Sequence, residues 1–239
     1  IKRLPIALYR LQHRGGKGVR GQETREGDAV QQLVVADTHD YLLFFTDKGR
    51  VYSKRVFDIG QDATRQTRGT PVQNLIDAIS PSEETVTAVI AISDPNVDKF
   101  IFMATRLGEI KKMHLSQFAN IRRNGLAAFD LEKNDSLLTA RLAEAGMTAI
   151  LVTRNGKGVL FALDDVTIRQ TRTAGGVRGI KLIDKDETVA MDVATADAQL
   201  MILSTRGYGK RTAVEKFRST GRNVQVVIAM KITDKSGPI

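Results

Sequence analysis

The 239-residue sequence predicts an all-β fold built by repeating one small basic unit. Four stretches rhyme: YLLFFTDKGRVYSKR (41–55), KFIFMATRLGEIKKM (99–113), TAILVTRNGKGVLFA (148–162) and AQLMILSTRGYGKRT (198–212). Each runs from an apolar stretch through a polar turn ending in glycine into a second strand-like run. The turn glycines, Gly49, Gly108, Gly156 and Gly207, stand 59, 48 and 51 residues apart. A self-similar period near ~50 residues marks stacked or radial copies of one supersecondary unit. Copies of a basic unit make an extended surface rather than a single catalytic pocket.

The first strand of each hairpin is a short, nearly continuous apolar run: Leu42–Phe45, Ile101–Met103, Ile150–Val152 and Leu200–Leu203. Such runs are expected where a strand is covered on both faces. The turns Asp47-Lys48-Gly49, Arg154-Asn155-Gly156 and Arg206-Gly207 supply residues that tolerate positive φ, as a tight hairpin needs. Ahead of each hairpin stands another apolar run behind an acid. These are AVQQLVVA (29–36) after Asp28, TVTAVIAI (85–92) after Glu84, SLLTARLA (136–143) after Asp135 and TVAMDVAT (188–195) after Glu187. Each unit therefore holds at least three strands, with a fourth expected. The register opens the chain just past a turn glycine and ends it after the first strand of another copy. The expectation is one domain over 1–239, a fragment with an incomplete first and last unit.

Basic residues return in phase. About 14 to 16 residues past each turn glycine comes an arginine: Arg65, Arg122 with Arg123, Arg172 and Arg222, with Arg14 in phase if Lys2-Arg3 matches Lys210-Arg211. The chain then becomes small or flexible before turning strand-like again, over 15–21, 66–76, 124–131, 173–183 and 223–232; Arg68 and Arg178 lie in these stretches. Strand-end arginines paired with nearby acids are the alternative, but an exposed ion pair adds under ~1 kcal/mol, a weak reason for recurrence. Dibasic pairs follow the turns less faithfully, as Lys111-Lys112 and Lys210-Arg211, with Lys2-Arg3 in the same slot. Tyr52-Ser53 and Val159-Leu160 interrupt that pattern, although Arg50, Lys54 and Arg55 flank the first exception. All these cations are candidates for one outer track.

Composition narrows the partner. Lysine and arginine number 36 against 27 acids, a net charge of +9, which points to nucleic acid or an anionic surface as partner, with solvated lysines without a ligand as the equal alternative on charge alone. Aromatics make up 5% and tryptophan is absent, so the stacking platforms of single-strand binders are not prominent and duplex is favoured. Absence of cysteine excludes a disulfide scaffold and thiolate metal sites and fits a reducing cytosol. No apolar run reaches the ~18 residues of a membrane span, and the opening IKRLPIALYR has no apolar stretch of signal-peptide type. Enzyme ingredients are poor. His13, His39 and His114 lie in unrelated settings, and no H-x-x-x-H, G-x-S-x-G or P-loop occurs.

One short segment is sharper than the rest: Gln12-His13-Arg14-Gly15-Gly16-Lys17-Gly18. Its glycines let backbone approach a ligand and its cations suit phosphate. It departs from a nucleotide P-loop, with Leu11 where the first glycine belongs and Val19 after Gly18. The segment closely resembles the seven-residue gyrase box: Gln, basic, Arg, Gly, Gly, basic, Gly. THDYLLFFTDKGRVYSK, FANIRRNGLAAFDL, GGVRGIKL and GYGKRTAVEKF likewise resemble the C-terminal domains of DNA gyrase A proteins, so the similarity spans essentially the whole chain. His13 departs from the usual Arg or Lys of the box, and histidine is mostly neutral at pH 7.

The resemblance implies a β-pinwheel, a propeller-like disc of four-stranded antiparallel blades that exchange a strand, with about five to six blades in the intact domain. It implies that the seven box residues and a basic rim bend and wrap double-stranded DNA. The rim would comprise Lys2, Arg3, Arg50, Lys54, Arg55, Arg65, Arg68, Lys111, Lys112, Arg122, Arg123, Arg172, Arg178, Lys210, Arg211 and Arg222. The wrap would let the parent enzyme introduce negative supercoils by ATP-dependent strand passage. No catalytic residue, metal or cofactor is expected in this domain: ATP and Mg belong elsewhere in the holoenzyme, and the cleaving tyrosine to another domain, so Tyr9, Tyr41, Tyr52 and Tyr208 are not nucleophiles. Implied partners are the rest of the gyrase A protein and the gyrase B protein in an A2B2 assembly, with no membrane, a monomeric isolated domain and a bacterial cytoplasmic, nucleoid-associated location. A topoisomerase IV-type domain, which lacks the box, and a propeller-like protein-interaction scaffold are the alternatives.

Overall fold

The computed structural model describes residues 1–239 apart from Arg10, Arg25, Gly27, Asp28, Pro81, Asp184, Thr220 and 223–226. Its strands are β1 Tyr41–Thr46, β2 Arg50–Arg55, β3 Val86–Ile92, β4 Phe100–Thr105, β5 Glu109–His114, β6 Leu126–Ala127, β7 Leu137–Ala143, β8 Thr148–Thr153, β9 Lys157–Ala162, β10 Val177–Arg178, β11 Thr188–Ala194, β12 Gln199–Leu203, β13 Gly209–Ala213 and β14 Val227–Ile228. The fold is all-β, as the repeat predicts.

Each hairpin closes through the same turn. A Thr or Ser carbonyl accepts from the glycine amide three residues on: Thr46–Gly49 3.0 Å, Thr105–Gly108 3.1 Å, Thr153–Gly156 3.0 Å and Ser204–Gly207 2.9 Å. All four glycines have φ between +70° and +88°, a region L side chains rarely enter. The acids ahead of the apolar runs tie these turns down. Asp135 accepts from the Leu107 amide at 2.9 Å and Asp186 from the Asn155 amide at 3.2 Å. Glu84 is buried and accepts from the Thr46 and Tyr52 hydroxyls at 2.5 and 2.9 Å. Asp28 lies outside the described residues.

Three antiparallel sheets of four strands follow one rule: β3-β1-β2-β6, β7-β4-β5-β10 and β11-β8-β9-β14. The register runs Leu43↔Ser53 and Leu43↔Ile90 in the first, with Arg50↔Ala127 at its far edge. The apolar run ahead of a hairpin thus belongs to the sheet of the preceding hairpin, and the outermost two-residue strand comes from after the following one. This corrects the unit boundary expected from sequence, which groups each run with the hairpin it precedes. The fourth sheet, β12-β13, has two strands among the described residues.

The run 29–36 is not a strand, contrary to expectation. By the shared rule its hairpin would lie upstream of residue 41, and no hairpin is formed there among the described residues. Val30, Leu33 and Val35 are exposed. The Gln32 side chain bonds the Val89 backbone instead, donating to its carbonyl at 2.7 Å and accepting from its amide at 3.0 Å.

β7 packs against β3 on one side and β11 on the other, and the three strands form the inner edge of their sheets. β6, β10 and β14 therefore lie at the opposite edge, on the rim. Apolar layers fill the gaps between successive sheets. Leu43, Phe45 and Ile90 meet Ile101, Met103 and Leu137; Phe102 and Ile110 meet Leu151, Phe161 and Met191; Ile150 and Leu160 meet Ile202 and Val214. All six residues of β4 are buried, which explains its unbroken apolar sequence.

Candidate nucleic-acid interface

The dibasic pairs follow the turns onto the second strand of the hairpin, and burial there changes their meaning. Lys111 and Lys112 are 1% and 4% exposed. The Lys111 ammonium donates to the carbonyls of Ala128 at 2.9 Å, Arg172 at 2.6 Å and Ala174 at 2.7 Å. Lys112 donates to the Leu163 carbonyl at 3.0 Å and lies 4.5 Å from the Phe100 ring centroid. Burial, with Arg169 beside it, pulls the Lys111 pKa down to about 8, while Asp130 opposes the shift. Their expected place on the outer track is corrected: Lys111 faces the carbonyls of residues 128, 172 and 174, and Lys112 faces the Leu163 carbonyl and, at 3.7 Å, the Asp164 carboxylate.

Lys2-Arg3 repeats the arrangement. Lys2 donates to the Thr67 carbonyl and Arg3 to the Val56 carbonyl, both at 2.8 Å. Thr67 and Ala174 stand 18 residues past their turn glycines, and Val56 and Leu163 stand 7 past theirs. The parallel bridges Arg3↔Gln61 and Lys112↔Ile168 have the same equivalence. Lys210 and Arg211 hold the same position in β13 and are exposed.

The phased arginines divide into two groups. Arg14, Arg122, Arg123 and Arg222 are exposed, whereas Arg65 and Arg172 are half-buried. Arg172 donates to the Gln117 carbonyl at 2.8 Å, and a buried Arg65 nitrogen has no partner among the described residues. None of the six forms an ion pair with a carboxylate among the described residues, so the acid-pairing alternative does not explain their recurrence. Arg122 and Arg172, from successive units, line one depression of about 590 Å3 with Asn120, Asn124 and Gly125.

The remaining cations have varied settings. Arg50 donates to the Asn124 carbonyl at 2.5 Å and to the Tyr52 hydroxyl at 3.0 Å, which ties β2 to the segment before β6. Arg55 stacks 3.5 Å from the Tyr41 ring centroid and donates to the His39 carbonyl at 2.7 Å. Lys54 is half-buried and Arg178 exposed on β10. Arg68 is exposed and pairs with Glu23 at 3.6 Å. Sequence reasoning missed Arg169, half-buried beside Lys111; only its position three residues before Arg172 marks it.

Residues 12–18 form an exposed loop. A turn at Arg14-Gly15 is closed by the Gly16 amide donating to the His13 carbonyl at 3.0 Å, so that N–H is already engaged. Gly15 and Gly18 have φ of +86° and +70°. Just beyond, Gln22 donates to the Arg68 carbonyl at 3.2 Å, tethering the loop to the segment that carries Arg65 and Arg68. The arrangement offers cations and polar backbone along exposed edges. Among the described residues no group of His, Asp and Glu gathers to hold a metal ion, and no helix is long and apolar enough to cross a membrane.

A family model described as the DNA gyrase C-terminal domain, beta-propeller, matches residues 1–37, 40–93, 99–144, 149–195 and 198–237, five consecutive repeats. The DNA gyrase A protein of Dehalogenimonas lykanthroporepellens is 41% identical over 239 residues, covering 100% of this chain and 29% of that protein. The gyrase A protein of Staphylococcus aureus is 38% identical over 243 residues, covering 100% and 27%. The chain thus spans under a third of the length of these relatives. Among solved structures, a DNA gyrase A C-terminal domain superposes with a TM-score of 0.76 at 23% identity, covering 99% of this chain and 76% of that one. A C-terminal domain of DNA topoisomerase IV gives 0.71 at 25% identity, covering 84% and 62%.

Proposed function

The chain belongs to the DNA gyrase C-terminal domain family, and from that premise we propose that its rim binds, bends and wraps duplex DNA without itself doing chemistry. The supporting observation is the shared depression that Arg122 and Arg172 line from successive units. A path that continues from unit to unit is what a duplex needs to be bent. Bending 20–30 base pairs costs on the order of 1–6 kcal/mol by elastic estimates, more than one basic cluster offsets. The contacts on offer are guanidinium, ammonium and backbone, which serve phosphate rather than base readout. The exposed loop 12–18 extends the path beside Arg68.

Within the whole enzyme, the wrap presents a neighbouring DNA segment for ATP-dependent strand passage and biases it towards negative supercoiling. ATP and Mg act elsewhere in the assembly with the rest of the gyrase A protein and with the gyrase B protein, in the bacterial cytoplasm. The likeness to a topoisomerase IV domain supports a second reading, a topoisomerase IV-type C-terminal domain; the box-like sequence of 12–18 favours the first.

Ligation of a nicked circular duplex in the presence of the chain tests the proposal. Wrapping leaves a linking-number change of one sign in the closed circles. A distribution identical to the protein-free control, at concentrations where a gel shift shows the circle bound, would refute wrapping.

A further inference from the structure

Among the described residues Lys111 is the largest charged side chain fully enclosed in the fold, and its three acceptors belong to two different places. Ala128 follows β6, the strand that joins the first sheet. Arg172 and Ala174 sit in the loop between β9 and β10, and β10 in turn joins Lys111's own sheet. The loop also carries the Arg172 guanidinium, which turns away to the Gln117 carbonyl and the depression shared with Arg122. Two bonds from Lys111, to the carbonyls of residues 172 and 174, thus fix the backbone on either side of Thr173. In the first unit Lys2 grips the carbonyl of Thr67, between Arg65 and Arg68.

We propose that the first lysine of the dibasic pair, Lys111 with its copy Lys2, is a positioning residue that fixes the arginine-bearing loop of the next unit and so sets where Arg172 meets a polyanion. This rests on the duplex-binding role proposed above. A buried ammonium costs free energy unless every proton finds an acceptor. Here the acceptors are carbonyls outside the strands, that of Ala174 receiving besides only a long bond of 3.5 Å from the Asp130 amide, so the two needs are met together. The ammonium never touches the ligand; it acts through the loop.

The test compares the full chain with Lys111→Met, Arg172→Gln and the double variant on a linear duplex over a series of salt concentrations. A lost phosphate contact makes the log–log slope shallower by about 0.9. Lys111→Met is expected to show a shallower slope, and the double variant is expected to match Arg172→Gln, because non-additivity reports that two residues act as one. A purely architectural lysine lowers the folded fraction and leaves the slope of the folded protein unchanged. A wild-type slope for Lys111→Met, or additive losses in the double variant, would overturn the proposal.

Hydrogen exchange separates this from failure of the duplex-binding role. Without any DNA, amides 174–179 should exchange faster in Lys111→Met while β3 and β7 stay protected. If Lys111→Met does not fold, Lys2→Met carries the test at a half-exposed site. There the Thr70 amide, bonded to the Ile1 carbonyl at 2.7 Å, should lose protection. Unchanged exchange at both loops sinks the proposal whether or not the chain binds duplex.

Discussion

Lys111 and Lys210 occupy one position of the repeat with opposite surroundings. The first is enclosed against three carbonyls; the second lies in solvent. Charge reversal should separate them. Lys111→Glu sets a carboxylate against three carbonyl oxygens and is expected to cost about 3–5 kcal/mol of stability, the usual cost of breaking a buried charge arrangement. Lys210→Glu should stay within about 0.5 kcal/mol and instead weaken duplex binding. Denaturant midpoints and anisotropy titrations read the two effects separately.

The lowered Lys111 pKa also fixes the sign of a pH effect. Between about 8 and the ordinary 10.5, the unfolded chain holds a proton that the folded chain has released. Stability therefore rises with pH through that window, and below it the cost of the buried charge is fully present. Wild type should gain stability relative to Lys111→Met from about pH 8 to 10.5. A difference that stays flat with pH would mean that the amine is not held down by its surroundings.

At the scale of elements, the four hairpin glycines share a conformation but not an environment. A Cβ at Gly207 meets nothing within 4 Å, whereas at Gly156 it would run into the Met230 carbonyl and come within 2.8 Å of the Ile232 side chain. That carbonyl cannot step aside easily, because the Ala229 and Met230 amides both donate to the Gly156 carbonyl at 2.9 and 3.1 Å. Gly207→Ala should cost about 1–2 kcal/mol, the strain of a left-handed L residue. Gly156→Ala should cost clearly more, because it also pushes the exchanged strand off its sheet. Urea midpoints of the two variants check this; equal losses would show that the close approach is relieved elsewhere.

The hairpins were legible because their cause is local: apolar runs, a Thr-x-x-Gly turn and positive φ leave marks in adjacent residues. The pairing of β3 with β1 was not, since nothing in TVTAVIAI says which of two flanking hairpins it completes. Burial of Lys111 and Lys112 was hidden for a different reason. Charged residues are almost never enclosed, and here carbonyls of the surrounding loops, with the Asp164 carboxylate 3.7 Å from the Lys112 ammonium, make it possible. The stretch AVQQLVVA has a strand's composition but pairs with no hairpin among the described residues; Val34 and Ala36 pack beside Leu42 and Phe44, while Val30, Leu33 and Val35 are exposed.

Over the whole molecule, two groups stand out among the cations expected on the rim, with separate tasks. Arg122, Arg123, Arg178, Lys210, Arg211, Arg222 and the loop at 12–18 lie open to a ligand; Lys2, Arg3, Lys111, Lys112 and Arg50 bond the backbone of other units. Net charge of +9 counts both alike. The number of phosphates neutralised, and with it the salt sensitivity of binding, should therefore be smaller than a census of lysine and arginine suggests.

The borrowed outer strands carry a consequence for biosynthesis. The sheet that begins at Tyr41 is not finished until Ala127 has been made. At roughly 5–20 residues per second, the ribosome adds the 72 residues from Val56 to Ala127 in about 4–14 seconds. During that interval the nascent sheet keeps a free edge that can mispair. The second and third sheets wait in the same way for Arg178 and Ile228, so their maturation must trail translation by more than one full copy of the unit.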